Sequence, residues 1–298
     1  MACLISVITP LLNRAAMLPD ALASLAAQNS VAFEHIVVDG GSTDGSQAIA
    51  AASGALVIDA PGSSIYEAIN LGLDRARGDI ICLLNSDDRL TPGALAAALS
   101  AFAAQSELDL VRGRALVETS ISGRWQPVAL PAEDQEPHLP GILLGRSSIN
   151  ACFFRTALVR RIGTFNPAYP ISADREWLAR ALVSGACTAG IDATVYVYRA
   201  HPGSLTIGKS RPATAQWVRE HLVFSRAMLR EARLTRRDRS ALRAFHAKET
   251  VHFATLLLSR GRLRDVASEI ARSFRSSPLW PLHAVTPLGD ILRRRLRF

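Results

Sequence analysis

Within residues 4–104 the chain four times runs an apolar, β-branched stretch into polar or glycine-rich residues and then into a helical pattern. That alternation restricts the fold more than any other feature. Leu4–Thr9 reads as a strand ended by Pro10, and Asn13-Arg14 opens a helix whose Leu18, Leu22, Leu25 and Ala26 recur at helical spacing. Glu34–Asp39 is a second strand, followed by Gly40 to Ser46 and an alanine-rich helix to Ala52. Ala55–Asp59 is a third. Pro61-Gly62 marks a turn, Ser64–Arg77 a helix with the stripe Ile65, Ile69, Leu73 and Ala76, and Gly78 its C-terminal cap. Ile80–Leu84 is a fourth strand, and Thr91 caps a helix over 92–104. Such repetition predicts an α/β fold: a doubly wound, mostly parallel sheet with right-handed crossovers.

The fourth strand is the centre of the pattern. Its unbroken apolar run suits a strand covered on both faces, and it delivers Asp87 and Asp88 to its own carboxyl end. In open α/β sheets ligands collect outside that edge, and two adjacent carboxylates repel unless a cation or donor lies between them. A divalent cation carrying phosphate oxygens, Mg²⁺ or Mn²⁺, fits hard oxygen ligands of this kind. The alternative is a role at the start of the next helix. Asp39 likewise ends the second strand, where Gly40, Gly41 and Gly45 allow close approach of a ligand and Ser42 or Thr43 can cap a helix. For Asp39 and Asp44 the competing reading is turn and capping chemistry.

Together the motifs become specific. Ser6–Pro10, Val-Asp-Gly-Gly-Ser-Thr-Asp-Gly-Ser at 38–46, Ile-Tyr-Glu-Ala-Ile-Asn-Leu-Gly at 65–72 and Gly-Asp-Ile-Ile-Cys-Leu-Leu-Asn-Ser-Asp-Asp at 78–88 resemble family 2 glycosyltransferases of the GT-A fold in order and spacing. The resemblance spans residues 3–205. It implies an inverting transfer of sugar from a nucleotide-diphosphate donor, with Asp39 on the base and the Asp87–Asp88 pair on ribose and metal. Thr9, Pro10, Asp44, Asn70 and Asn85, in the matching motifs, and Asn13, just after the first, are taken as donor-side residues with Asp39 and Asp87. Asp88 and His201 are taken as metal ligands, and Asp174 as the catalytic base. The chain departs from the family at Asn85, where many members carry aspartate, at Pro61–Ser64, and at Leu71, where many carry lysine.

The remaining chain is less regular. Segments 108–112, 114–119 and 123–128 read as short strands, 129–141 as a Pro-rich acidic loop, 149–155 as core and 156–162 as a helix ended by Gly163. Asp174 falls in the first turn of a helix whose apolar face is Trp177, Leu178, Ala181 and Leu182, where the macrodipole also favours an acid. Glu176 is the alternative base. Val195–Arg199 is a further strand, ending near His201. Beyond Ala213 the pattern is helical over 213–232, 236–259, 261–275 and 285–297, with Leu257, Leu258, Ile270 and Phe274 available for packing. The reading is therefore a GT-A domain at 1–210 and a basic helical region at 211–298.

Charge separates the two. Residues 226–298 hold 17 Lys and Arg against 6 Asp and Glu, whereas residues 1–225 hold 17 against 20. A basic tail combining Trp280 and Ile291–Phe298 with arginines suits an anionic membrane surface or a solvated cap. With no apolar run long enough to span a bilayer and no basic leader, a cytoplasmic protein, peripheral on the membrane, is expected. Cys3, Cys82, Cys152 and Cys187 are unpaired in spacing and read as core residues. The acceptor expected is lipid-linked or a polysaccharide. A sugar nucleotidyltransferase is the nearest competing enzyme, but its basic glycine-rich phosphate loop is absent near the first strand. A nucleic-acid partner is not expected, since no reader motif or stacking stripe accompanies the basic tail.

Overall fold

The computed structural model describes residues 3–128, 136–145, 149–203, 211–231, 234–278 and 280–281. Two compact units divide the chain, one of residues 1–138 and 146–207, the other of 139–145 and 208–298. Residues 139–145, read above as part of the first domain, group with the second unit.

The first unit is built on a nine-stranded sheet. Its elements begin β1 (Ile5–Leu11), α1 (Leu18–Ala26), β2 (Phe33–Asp39), α2 (Ser46–Ala52), β3 (Leu56–Asp59), α3 (Ile65–Arg75) and β4 (Ile80–Leu83). They continue with β5 (Arg89–Leu90), α4 (Ala94–Ala104), β6 (Leu110–Ile121) and β7 (Arg124–Val128). After α5 (Leu139–Leu144), which belongs to the other unit, come β8 (Cys152–Arg155), α6 (Thr156–Ile162), α7 (Ala173–Val183) and β9 (Thr188–Ala200). The order across the sheet is β3-β2-β1-β4-β8-β6-β9-β5, with β7 beside β6. The parallel ladders β3-β2-β1-β4 and β6-β9 carry most of the paired residues, and β8, β5 and β7 run antiparallel to their neighbours.

β1 and β4 have a paired strand on each side, and each is buried along its length, as the apolar runs require. Ile5, Val7, Ile80, Cys82 and Leu84 pack with Leu95 and Ala98 of α4 and with Phe153 and Tyr196. Pro10 does not end β1; it pairs with Val38 inside it. β4 pairs with β1 only from Ile5 to Ile8, so Pro10 lies beyond the stretch in which a missing N–H would break a ladder on that side.

Other boundaries move for local reasons. α1 begins at Leu18 rather than near Asn13, because Asn13 takes a left-handed φ of 51° and Pro19 fits the first helical turn. α3 is capped as its sequence suggests, by a box in which Ser64 and Glu67 satisfy each other's backbone N–H. Gly78 is not its C-terminal cap. A Cβ there would lie 2.6 Å from the Ser6 backbone nitrogen, so its role is to let the chain enter β4 against β1. Thr91 does not cap α4: its hydroxyl donates to the Thr194 carbonyl, and Gly93 at φ 76° starts the helix. Segments 108–112 and 114–119 form one strand, β6, irregular at 112–115, and the end of the expected 129–141 loop folds as α5 with Leu139, Ile142 and Leu143 buried. Residues 129–135 of that loop lie outside the described residues, as does the expected last helix at 285–297.

The second unit is helical: α5, α8 (Arg211–Met228), α9 (Arg236–Leu258) and α10 (Leu263–Ser276). Val218 and Leu222 of α8 pack on Phe253 and Leu257 of α9, and Phe224 stacks on Phe245 with centroids 5.6 Å apart. Leu258 and Phe274, expected to pack, are 49% and 46% exposed. All four cysteines are free, Cys82 and Cys152 buried and Cys187 exposed, so Cys187 is not a core residue. Among the described residues no helix is long and apolar enough to cross a membrane.

Candidate active site

Four loops meet at the carboxyl edge of the parallel strands: those after β1, β2 and β4, and the chain leaving β9. Asp87 and Asp88, indistinguishable as neighbours in sequence, have different surroundings there.

Asp88 turns inward. Its Oδ1 accepts the Arg199 N–H at 2.8 Å, and its Oδ2 accepts from the Tyr196 hydroxyl at 2.7 Å and the Asn85 side-chain amide at 3.0 Å. Tyr196 in turn accepts the Asn85 N–H at 3.1 Å. The residue is 1% exposed, and burial, reinforced by the neighbouring Asp87 charge, pushes its carboxyl up to about 7. Both oxygens of Asp88, expected to be a metal ligand, accept hydrogen bonds that order the loop.

Asp87 turns outward. Its Oδ2 accepts from Arg14 Nε at 3.2 Å and lies 3.0 Å from His201 Nε2, with the carboxylate side chain 18% exposed. Arg14 also donates to the carbonyls of Asn13 at 3.1 Å and Gly203 at 3.4 Å, tying the loop after β1 to the end of β9. His201 is thus brought beside the acidic pair, on Asp87 rather than Asp88. One partly exposed carboxylate with an imidazole could hold a hard divalent cation that keeps positions open for phosphate oxygens and water, as Mg²⁺ and Mn²⁺ sites do. Among the described residues no group of three or more His, Cys, Asp or Glu is arranged as a closed metal cage.

Several donor-side candidates have structural partners. Thr9 is 1% exposed with its hydroxyl 2.9 Å from His35 Nε2, and Pro10 is buried within β1; neither presents an atom to the edge. Burial pushes the His35 imidazole down to about 4, so Thr9 faces a neutral ring. Asn70 clasps the Phe165 backbone, donating to its carbonyl at 2.7 Å and accepting its N–H at 3.0 Å. Asn13 and Asp44 stitch the loops after β1 and β2 together. Asn13 donates its N–H to Ser42 and accepts from Thr43 N–H, both at 2.9 Å, while Asp44 accepts from Ala15 N–H at 2.9 Å. The Ser46 hydroxyl and the Ala15 amide hold the Asp44 carboxyl below the usual range. Asp39 is 1% exposed and accepts from the Ser42 N–H and hydroxyl, so it shapes the same loop from within.

Asp174 stands at the start of α7, apart in sequence from these loops. It retains partial solvent contact, yet its carboxyl lies deep enough that desolvation raises it, opposed by the Arg175 charge and amide and by a hydrogen bond from Tyr66. Tyr66 stacks on Phe165, which stacks on Trp177, so α3 and α7 share one aromatic wall. Glu176 is not a free base: both its oxygens pair with Arg180, at 2.9 and 3.0 Å. Burial pushes the Cys152 thiol up to about 12, opposed by the Arg112 charge and reinforced by that of Asp174; Cys152 begins β8, beside the carboxyl end of β4.

Sequence reasoning missed three residues. Arg14 reads only as the start of a helix, and Tyr196 and Arg199 only as part of the strand over 195–199, none with a role in the site. Arg199 is 4% exposed, pairs with Asp20 at 2.7 Å, lies 4.9 Å over the Trp125 ring and holds Asp88 through its backbone. An arginine ending an apolar strand was the available signal.

The family model described as glycosyl transferase family 2 matches residues 6–161, more than half of the chain. The chain belongs to this family. Among its relatives is a PGL/p-HBAD biosynthesis glycosyltransferase of Mycobacterium bovis (strain BCG / Pasteur 1173P2), 33% identical over 187 residues, covering 60% of this chain and 70% of that one. Of solved structures, S. aureus TarS 1–349 shares the fold at TM-score 0.68 and 18% identity, covering 96% of this chain and 88% of that one. The mannosyltransferase PcManGT from Pyrobaculum calidifontis, in complex with GDP-Man and Mn²⁺, does so at 0.59 and 14%, covering 96% and 87%. The glycosyltransferase is thus an α/β protein whose structural neighbours are of GT-A type, with a helical C-terminal region.

Proposed function

We propose that this glycosyltransferase inverts the anomeric centre as it moves a sugar from a nucleotide-diphosphate donor to a hydroxyl of a lipid-linked or polysaccharide acceptor, with Mn²⁺ or Mg²⁺. The observation that carries the reading is the contrast between two carboxylates. Asp87 is matched to the positive charge of Arg14 and to the His201 imidazole, while Asp174, on another element, is held with its carboxyl raised. An inverting displacement needs this division, with cations on the leaving diphosphate and a base on the acceptor side.

Asp87 and His201 are the residues that would hold the cation. When bound, it supplies positive charge to the departing nucleoside diphosphate. Arg14, already at the same carboxylate oxygen, is placed to take diphosphate oxygens, and Asp88 with Tyr196 keeps the Asp87 loop in one conformation. Asp39 and the loops joined by Asn13 and Asp44 line the way to the nucleoside. Asp174 accepts the proton of the attacking hydroxyl, and its raised pKa makes it a stronger base than an exposed aspartate. Tyr66 orients the carboxylate by its hydrogen bond. The basic balance of residues 226–298 supports a peripheral enzyme on the cytoplasmic face of a membrane, working in polysaccharide or envelope synthesis.

Two relatives in fold were solved with donors, UDP-GlcNAc for TarS 1–349 and GDP-Man with Mn²⁺ for PcManGT, so the donor panel should include UDP-, GDP- and dTDP-sugars. At about 100 times its dissociation constant a true donor stabilises the protein by about 2.7 kcal/mol, which a thermal-shift screen with Mn²⁺ detects. Proton NMR of the glycosidic product should then show the anomeric configuration opposite to that of the donor. Retention of configuration would refute the inverting mechanism.

A further inference from the structure

The packing of the helical unit leaves one edge of the apolar face of α10 exposed. Helices that pack in water turn apolar residues inward and polar ones outward. α10 turns Val266 and Ile270 inward, but it also buries Glu269, at 2% exposure, and Ser273, fully buried. Glu269 is neutralised by Arg226 at 2.6 Å and Arg272 at 2.9 Å, and the Ser273 hydroxyl lies 3.0 Å from that of Thr250. Along the outer edge of the same face α10 leaves Leu263 67% exposed and Phe274 46% exposed, the Phe274 ring meeting Trp280 edge-on at 5.7 Å. Eleven residues apart, they fall on one side of the helix about 16 Å from each other, with exposed Ala267 and Ala271 along the same stripe. Exposed Arg264 and Arg275 flank that stripe, and Leu258 with Arg260 and Arg262 continues it around the turn from α9.

We infer that this face of α10 docks on the headgroup region of an anionic lipid bilayer, Leu263 and Phe274 entering the interface and Arg264 and Arg275 meeting lipid phosphates. Large apolar side chains spaced along one side, flanked by arginines rather than acids, are the pattern of a helix lying in a membrane surface. Charge complementarity selects the occupant: the region from 226 onward has 17 basic against 6 acidic residues, so an anionic surface is attracted and a second copy of the same basic region is repelled. The sequence Ile291-Leu-Arg-Arg-Arg-Leu-Arg-Phe repeats the combination of apolar and basic residues. The inference rests on the membrane-facing part of the proposed function and on none of its chemistry.

The test uses the full chain and vesicles of phosphatidylglycerol or phosphatidylcholine, without donor or acceptor. The protein should co-sediment with phosphatidylglycerol at low salt, release as salt rises, and ignore phosphatidylcholine. The double variant Leu263→Asp, Phe274→Asp should bind at least about tenfold more weakly, as should Arg264→Glu, Arg275→Glu, since each arginine near such a surface contributes about one factor of several. Val223→Asp, the same change at an exposed site on α8, should bind as wild type. If wild type ignores phosphatidylglycerol, both this inference and the membrane-facing reading fall. If both double variants bind as wild type, the face is misassigned while that reading stands. If light scattering shows a wild-type oligomer that the α10 variants dissolve, the face joins copies of the chain and the lipid assignment is overturned.

Discussion

At the scale of single residues, the site depends on neighbours that look alike and behave differently. In Asp87-Asp88 consecutive side chains point opposite ways, one to Arg14 and His201, the other to Tyr196 and Arg199. Asp174 is the residue whose titration reads out the mechanism. A base works deprotonated, so turnover should fall as pH drops through the raised Asp174 pKa, an acidic limb above that of an ordinary aspartate. Asp174→Asn should lose about 10² to 10⁴ in kcat and lose the limb as well. Tyr66 holds that pKa down, so Tyr66→Phe should move the limb to higher pH while keeping most activity; a limb that stays put would take Tyr66 out of the site. Sequence could find Asp87, Asp88, His201 and Asp174, because acids and imidazoles at strand and helix ends are conspicuous. It could not decide which acid is free, since that depends on Tyr196 and Arg199, more than a hundred positions away.

At the scale of elements, the parallel half of the sheet was legible because buried parallel strands write themselves as apolar runs, and β1, β2, β3 and β4 differ from expectation by only a residue or two at their ends. β6 and β9 were read as fragments because they are irregularly paired near 112–115 and only partly buried beyond, so their pattern has no single period. Gly78 shows where element boundaries depend on close approach. Gly78→Ala would push a methyl to 2.6 Å from the Ser6 backbone, and overpacking of that kind should cost about 1–3 kcal/mol in denaturant unfolding. An unchanged midpoint would mean that the entry to β4 yields freely. In the helical unit, His246 of α9 is fully buried against Ser225, and burial, helped by the Arg226 charge, pushes it down to about 4. The unfolded chain takes up that proton near pH 6.5 and the folded one near 4, so stability is present at neutral pH and lost as pH falls through that window. The loss is on the order of 3 kcal/mol. His35 contributes in the same direction in the other unit. Denaturant titrations at pH 7 and 5 should show the loss, and His246→Gln should reduce it; an equal loss in the variant would exclude His246.

At the scale of the whole molecule, two units divide the labour by charge. The sheet-bearing unit presents carboxylates at one edge, and the chain from 226 onward is basic. Composition made that division visible before any fold was known, whereas the exposed edge of α10 was not, because helical spacing alone cannot say how much of an apolar stripe packs inward. The central claim is that Asp87 anchors metal and donor while Asp174 serves only the acceptor. Calorimetry of the active nucleotide sugar, with and without Mn²⁺, on wild type, Asp87→Asn and Asp174→Asn tests it most directly. Wild type and Asp174→Asn should bind donor with the same affinity and the same dependence on Mn²⁺, and Asp87→Asn should lose the Mn²⁺-dependent part. Undiminished, Mn²⁺-dependent binding by Asp87→Asn would contradict the account.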